Sequence, residues 1–214
     1  MPAILGSRQL IVALATALLF GISVPAVLAQ QIPPTPDPVP VNLEASTTAI
    51  IVNDVNQQIC PPQPNCTGTV VPAVSALLAR AREAGVLVIF STPAASGSPI
   101  LPELGPEPGE PLVLGYGQNR FFSTALDDML RERHITTLIV TGWKTNGSVL
   151  YTAFNAGILR YTVVVPVDAT SAATDAEIAI GRFQLLDQLG GNATNQPLVP
   201  NRVTLSRSDL ITFE

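Results

Sequence analysis

Hydrophobic positions along this chain fall into two rhythms. Thr47–Asn53 (TTAIIVN), Val86–Ser91 (VLVIFS), Thr137–Thr141 (TLIVT) and Thr162–Pro166 (TVVVP) are apolar, β-branched runs with little or no polar alternation. A strand reads this way when both its faces are covered, as in a parallel sheet. Val71–Ala84, Thr124–Arg133, Ser148–Gly157 and Asp175–Leu189 read instead as helices. Gly85 is placed to close the first of them in a left-handed conformation. Thr124, with Asp127 three residues on, predicts an N-cap resembling a capping box. Leu112–Leu114 and Val203–Leu205 predict two further short strands. Strand and helix alternate throughout, which predicts an α/β fold: an open, mainly parallel sheet with helices on both faces. Thr92–Pro111 is rich in Pro, Gly and Ser and is long for a connection, which suggests a lid or rim.

The N-terminal stretch stands outside this pattern. Met1–Leu10 carries one cation, Arg8. Ile11–Val24 is almost wholly apolar, and Pro25–Ala29 ends in Val-Leu-Ala before Gln30. That order predicts a secretory signal peptide over residues 1–29, cleaved after Ala29. The alternative, a retained anchor, meets an apolar run that is short for a membrane span. Residues 30–46 hold five prolines, Pro33, Pro34, Pro36, Pro38 and Pro40, and read as an extended linker with no packing role. The ordered domain is then expected over 47–214.

Charge narrows the partners. The formal net charge is −5, and loss of Arg8 with the leader makes it −6. No basic cluster exists, so nucleic acid and, after cleavage, the membrane are not expected as partners. Cys60 and Cys66 are the two cysteines. In an oxidising compartment, secreted or periplasmic, so near a pair is expected to form a disulfide.

In open parallel sheets, ligands bind beyond the carboxyl ends of the strands. That rule brings together Asp54 after the first strand, Thr92 onward after the second, and Gly142–Ser148 after the strand Thr137–Thr141. Asp54 ends an apolar strand, as a general base would, though a carboxylate there also serves as a cap or turn former. TGWKTNGSVLYTA, Thr141–Ala153, runs from a buried strand through small polar residues into a helix. Backbone N–H groups at such a helix start can stabilise an oxyanion. Ser148 there is either a nucleophile or an ordinary N-cap.

The combination resembles the isochorismatase-like cysteine hydrolases. TAIIVNDVNQQICP is similar to their first-strand motif, VSALLARAREAGVLVIFS to their first helix and second strand, and FFSTALDDMLRERHITTLIVTGWKTNGSVLYTAFNAGILRYTVVVPVDAT to their central run. The resemblance implies a three-layer α/β/α fold and an Asp–Lys–Cys triad that hydrolyses amides or, in isochorismatase itself, a vinyl ether. Carried over by position, Asp54 is the catalytic Asp, Ser148 stands at the cysteine, and the lysine falls near Gly115, where nothing basic stands. The resemblance also implies a cis peptide at Trp143–Lys144, with the N–H groups of Lys144 and Ser148 as oxyanion donors. Gly142 and Trp143 are expected in the turn and Tyr116 and Asn146 in the pocket; Trp143 is either a further pocket residue or a packed or subunit-contact residue. Homo-oligomers are common in the family. Some members bind a metal after the second strand, but STPAASGSP holds no histidine here, and the one histidine, His134, reads as a turn residue. No metal and no other cofactor is expected.

A serine hydroxyl needs a neighbouring base to attack at neutral pH, whereas a thiol comes close to ionising unaided. Lys144, the only lysine, replaces the missing charge if its side chain turns toward Ser148, and is otherwise an exposed turn residue. Two functions follow: a hydrolase acting on a small amide or ester through Ser148, or a non-catalytic descendant that binds a small molecule or a partner in the same pocket.

Overall fold

The computed structural model describes residues 32–188 and 191–214. The expected signal peptide, residues 1–29, the first two residues of the expected linker and Leu189 at the end of the expected last helix lie outside them. Within Ile32–Glu214 the chain forms strands β1 (Val41–Leu43), β2 (Thr48–Asn53), β3 (Leu87–Pro93), β4 (Leu112–Gly115), β5 (Thr137–Trp143), β6 (Thr162–Pro166), β7 (Thr170–Ser171), β8 (Val203–Ser206) and β9 (Ile211–Phe213). The α-helices are α1 (Val71–Glu83), α2 (Leu126–Glu132), α3 (Leu150–Ile158) and α4 (Asp175–Leu186).

The main sheet has the order β4-β3-β2-β5-β6-β8, with β7 added to β5, and every pairing in it is parallel. Its central strand explains the unbroken apolar run: all six residues of β2 are buried. Ile50 and Val52 face a core shared with Val74, Leu77 and Leu78 of α1. Ala49 and Ile51 face the opposite core, with Leu126 and Leu130 of α2, Ala153 of α3 and Leu185 of α4. Each fully buried Leu or Ile contributes roughly 1.5–3 kcal/mol, so the two apolar layers hold the sheet between them. The result is the three-layer α/β/α arrangement expected from the sequence.

The proline-rich segment departs from expectation. Val41 and Leu43 are buried and pair in parallel with Ile211 and Phe213, and Val39 N–H donates to Leu205 O at 3.0 Å. The in-out-in alternation of Val-Asn-Leu gives this stretch an apolar face, so it packs against the domain rather than tethering it. α2 also starts differently: Ala125 is its N-cap, without a side-chain bond, and Asp127 pairs with Arg131 and Tyr161 instead. α4 carries the capping box, with Thr174 and Glu177 bonding each other's backbone.

Chain order reverses between β2 and β5. From β2 the path steps outward to β3 and β4; from β5 it steps the other way to β6 and β8. Such a switch point opens a crevice at the strands' carboxyl ends. Asn53 and Gly142 are register partners there. A Cβ on Gly142 would lie 2.1 Å from Asn53 O, and its φ is 106°, so only glycine lets the two strands stay this close.

Candidate active site

Asp54 follows β2 at the switch point, with a positive φ of 57°. Its N–H donates to Ser91 O at 2.9 Å, which turns the carboxylate off the end of the strand. Asp accepts this left-handed conformation better than most residues. The loop beyond is folded back by buried Asn56, whose Oδ1 accepts from the N–H groups of Gln58 and Ile59 and whose Nδ2 donates to Thr92 Oγ1. The Cys60–Cys66 disulfide closes the same loop ahead of α1.

β5 runs on through Gly142 and Trp143, further than the apolar run predicted. A wide turn, Thr145–Val149, then leads into α3. The Trp143–Lys144 peptide is cis. Ser148 Oγ lies 2.7 Å from Asp54 Oδ2 and 2.7 Å from Trp143 O. A hydroxyl has one proton, so these two acceptors share it. Ser148 is therefore inside the turn and is not an N-cap.

The sequence reading missed a third charged group. Arg120, 2% exposed, places Nη2 on Asp54 Oδ2 as a buried ion pair. Its Nη1 donates to Gly117 O at 2.6 Å, and its own N–H bonds Thr152 Oγ1 of α3 at 3.2 Å. Burial pushes the Asp54 carboxyl above its ordinary value, opposed by the Arg120 charge and by the hydrogen bonds from Ser148 and Arg120. Asp54 Oδ1 and Arg120 Nε are buried and bond no protein group.

A cavity of about 320 Å³ opens beside this pair, lined by Asp54, Pro93, Ala94, Ala95, Gly115, Tyr116, Gly117, Gln118 and Arg120. Part of the Thr92–Pro111 segment thus forms a rim. The rest is tied down through Gln57 N–H to Pro99 O and Leu101 N–H to Val55 O. Ser148, 4% exposed and bonded to Asp54, is not among the residues that line this cavity. A separate cavity of about 270 Å³ between α3 and α4 has Asp187 as its one charged lining residue. Its lining holds no cation to pair with that carboxylate. Among the described residues no three His, Cys, Asp or Glu side chains cluster as a metal would need.

The remaining expected site residues separate from this group. Tyr116 lines the cavity but is 70% exposed. Trp143 is buried in the core on the α1 side rather than in the pocket. Lys144 turns outward, with Nζ donating to Glu177 Oε1 of α4 at 2.6 Å, so it does not supply the missing charge at Ser148. Glu177's carboxyl is held below its usual range, chiefly by that bond. Asn146 does not line the cavity, and its buried Oδ1 has no hydrogen-bond partner. α4 reaches the turn closely because Gly181 lies against it: a Cβ there would sit 2.8 Å from Asn146 N.

Comparison with known proteins agrees with this architecture. Residues 48–195 match the isochorismatase domain family. An uncharacterised isochorismatase family protein, YwoC, of Bacillus subtilis is 29% identical over 179 residues, covering 72% of this chain and 94% of that protein. The ureidoacrylate amidohydrolase RutB of an Enterobacter species is 42% identical over 74 residues, covering 35% of this chain and 32% of that protein. The crystal structure of an isochorismatase family protein from Desulfovibrio vulgaris superposes with a TM-score of 0.64 at 24% identity, covering 76% of this chain and 95% of that one. With its switch-point carboxylate, its turn into α3 and this span of matching sequence, the chain belongs to the isochorismatase family of hydrolase-fold proteins.

Proposed function

We propose that this chain is an exported protein that binds a small molecule bearing an amide- or ureido-type group in the cavity at Asp54 and Arg120, with hydrolysis weak or lost. The observation that carries the reading is the placement of Ser148. Its buried hydroxyl is shared between two acceptors, Asp54 Oδ2 and Trp143 O, and Ser148 is not among the residues that line the cavity. Among the described residues the base bonded to it is Asp54, whose Oδ2 is shared with Arg120. A serine with so constrained a base is a poor nucleophile.

Binding is favoured by the chemistry of the cavity wall. Asp54 brings acceptors and Arg120 brings donors to it, and a group with an N–H beside a C=O complements that pair. A hydrogen bond to a charged group contributes on the order of 1.5–3 kcal/mol. The partial match to an amidohydrolase supports the same ligand chemistry. Export is supported by the leader-like residues 1–29 and by the disulfide, which suits an oxidising compartment.

The runner-up is slow hydrolysis through Ser148, with the backbone N–H groups of Lys144 and Ser148 as oxyanion donors. The existing Ser148–Asp54 hydrogen bond favours it. Screening the mature chain against small amides, ureas and esters beside Ser148→Ala separates the two. Thermal stabilisation by ligand without turnover supports binding, and turnover abolished by Ser148→Ala supports the enzyme.

A further inference from the structure

The resemblance to cysteine hydrolases places a lysine near Gly115, and the absence of a cation there suggests a charge lost from the site. The space says otherwise. A Cβ built on Gly115 would lie 2.1 Å from Arg120 Nη1, 2.9 Å from its Cδ and 3.0 Å from its Cζ. The guanidinium thus fills the volume from which a side chain at the end of β4 would start. Gly115 and Arg120 exclude alternatives: any larger residue at 115 displaces the arginine.

We propose that Arg120 is the positioning residue that restores the site's fixed positive charge from a new place in the chain, acting on position 148 through Asp54, so that the nucleophile is the one component still missing. The guanidinium is built into its place. It is almost fully buried, its Nη1 is held by Gly117 O, and its backbone is anchored to Thr152 of α3. Asp54 Oδ2 is the common atom, bonded by both Arg120 and Ser148. The charged groups around position 148 are Asp54 after β2 and Arg120 from the loop before α2. Lys144, on the turn itself, is paired outward to Glu177 of α4. Arg120 is therefore the cation whose field reaches residue 148.

This inference rests on the hollow at Asp54 and Ser148 being the site, but its test needs no ligand, so its failure is separate from a failure of the binding reading. Cys60 and Cys66 are joined, so Ser148→Cys creates the protein's single free thiol. Thiolate absorbance near 240 nm then reads its titration without requiring access to the buried sulfur. The expected midpoint in Ser148→Cys lies below the ordinary thiol value of about 8.5. Ser148→Cys/Arg120→Gln is expected to titrate about one unit higher or more, a tenfold loss of thiolate at a given pH below the midpoint. Adding Gly115→Lys to Ser148→Cys/Arg120→Ala is expected to bring the midpoint back down, since the new ammonium enters the vacated volume. Circular dichroism confirms that each variant is folded. If the arginine variants do not fold, the titration of Ser148→Cys alone decides. A midpoint at or above about 8.5 in that protein, or one unmoved by the loss of Arg120, overturns the proposal.

Discussion

Arg120→Met offers the sharpest test of how the site is held together. Methionine keeps much of the aliphatic stem and removes the guanidinium, leaving the Asp54 carboxylate buried without its counter-charge. The two side chains are 2% and 9% exposed, so solvent cannot take over that role. Removing one partner of a buried pair costs about 3–5 kcal/mol, mostly as the penalty of the charge left behind. For a domain of this size that corresponds to a fall in Tm of roughly 6–20 °C. The pH dependence has a definite sign. Burial already raises the Asp54 pKa above 3.8, and loss of the opposing arginine raises it further. A raised carboxyl pKa means the native state binds more protons than the unfolded chain within the window above 3.8, so this group's contribution to stability is fully present below 3.8 and is lost as pH rises through the folded pKa. The deficit of Arg120→Met against wild type is therefore greatest at neutral pH and shrinks as the medium is acidified toward that value. Urea denaturation of wild type, Arg120→Met, Asp54→Asn and the double variant at neutral and mildly acidic pH measures the whole cycle. The double variant should regain most of the loss, because it buries no unpaired charge. A loss below about 1 kcal/mol that does not change with pH, or a double variant as unstable as Arg120→Met, refutes the reasoning.

Three further outcomes follow from the same coordinates. Gly142→Ala forces a Cβ to 2.1 Å from Asn53 O at φ 106°, and is expected to cost about 2–4 kcal/mol in urea denaturation, or to prevent folding, because it parts β2 and β5 at the switch point. Replacing Cys60 and Cys66 together by serine reopens a loop with a sequence separation of 6 and is expected to lower stability by about 2–2.5 kcal/mol, measured against the oxidised protein. Lys144→Met removes the outward pair with Glu177 and is expected to leave ligand-induced thermal stabilisation unchanged, whereas loss of that stabilisation would return Lys144 to the site.

Much of the fold could be read from the chain, and the exceptions share a cause. β2 and β6 were legible because an unbroken run such as Thr-Val-Val-Val-Pro has few uses other than a strand covered on both faces. β1, β7 and β9 are two or three residues long and owe their existence to partners far along the chain, a property no local pattern carries. The start of α4 did leave a signal, Thr174-Asp-Ala-Glu177, which has capping-box spacing. At the site, the positions of Asp54 and Ser148 followed from strand ends and motif order. Arg120 did not, because its side chain reaches back into the space that Gly115 leaves open, and side-chain reach has no periodicity. The one hint was an arginine shortly after the glycines of Gly115-Tyr-Gly117, where an absent side chain makes room for a distant one. Lys144 misled for the complementary reason: nearness in sequence to Ser148 says nothing about which side of the turn faces α4.

The central claim is that one cavity, walled by Asp54 and Arg120 and rimmed by Ala94, takes up a small molecule with adjoining N–H and C=O groups. Ala94→Trp fills that cavity while leaving the Asp54, Arg120 and Ser148 side chains themselves unchanged. Calorimetric titration of small primary amides and ureas into wild type and Ala94→Trp is the most direct measurement. The account predicts saturable binding to wild type that disappears in an equally stable Ala94→Trp. Binding that persists undiminished in that variant, or that no amide or urea shows with wild type, contradicts it.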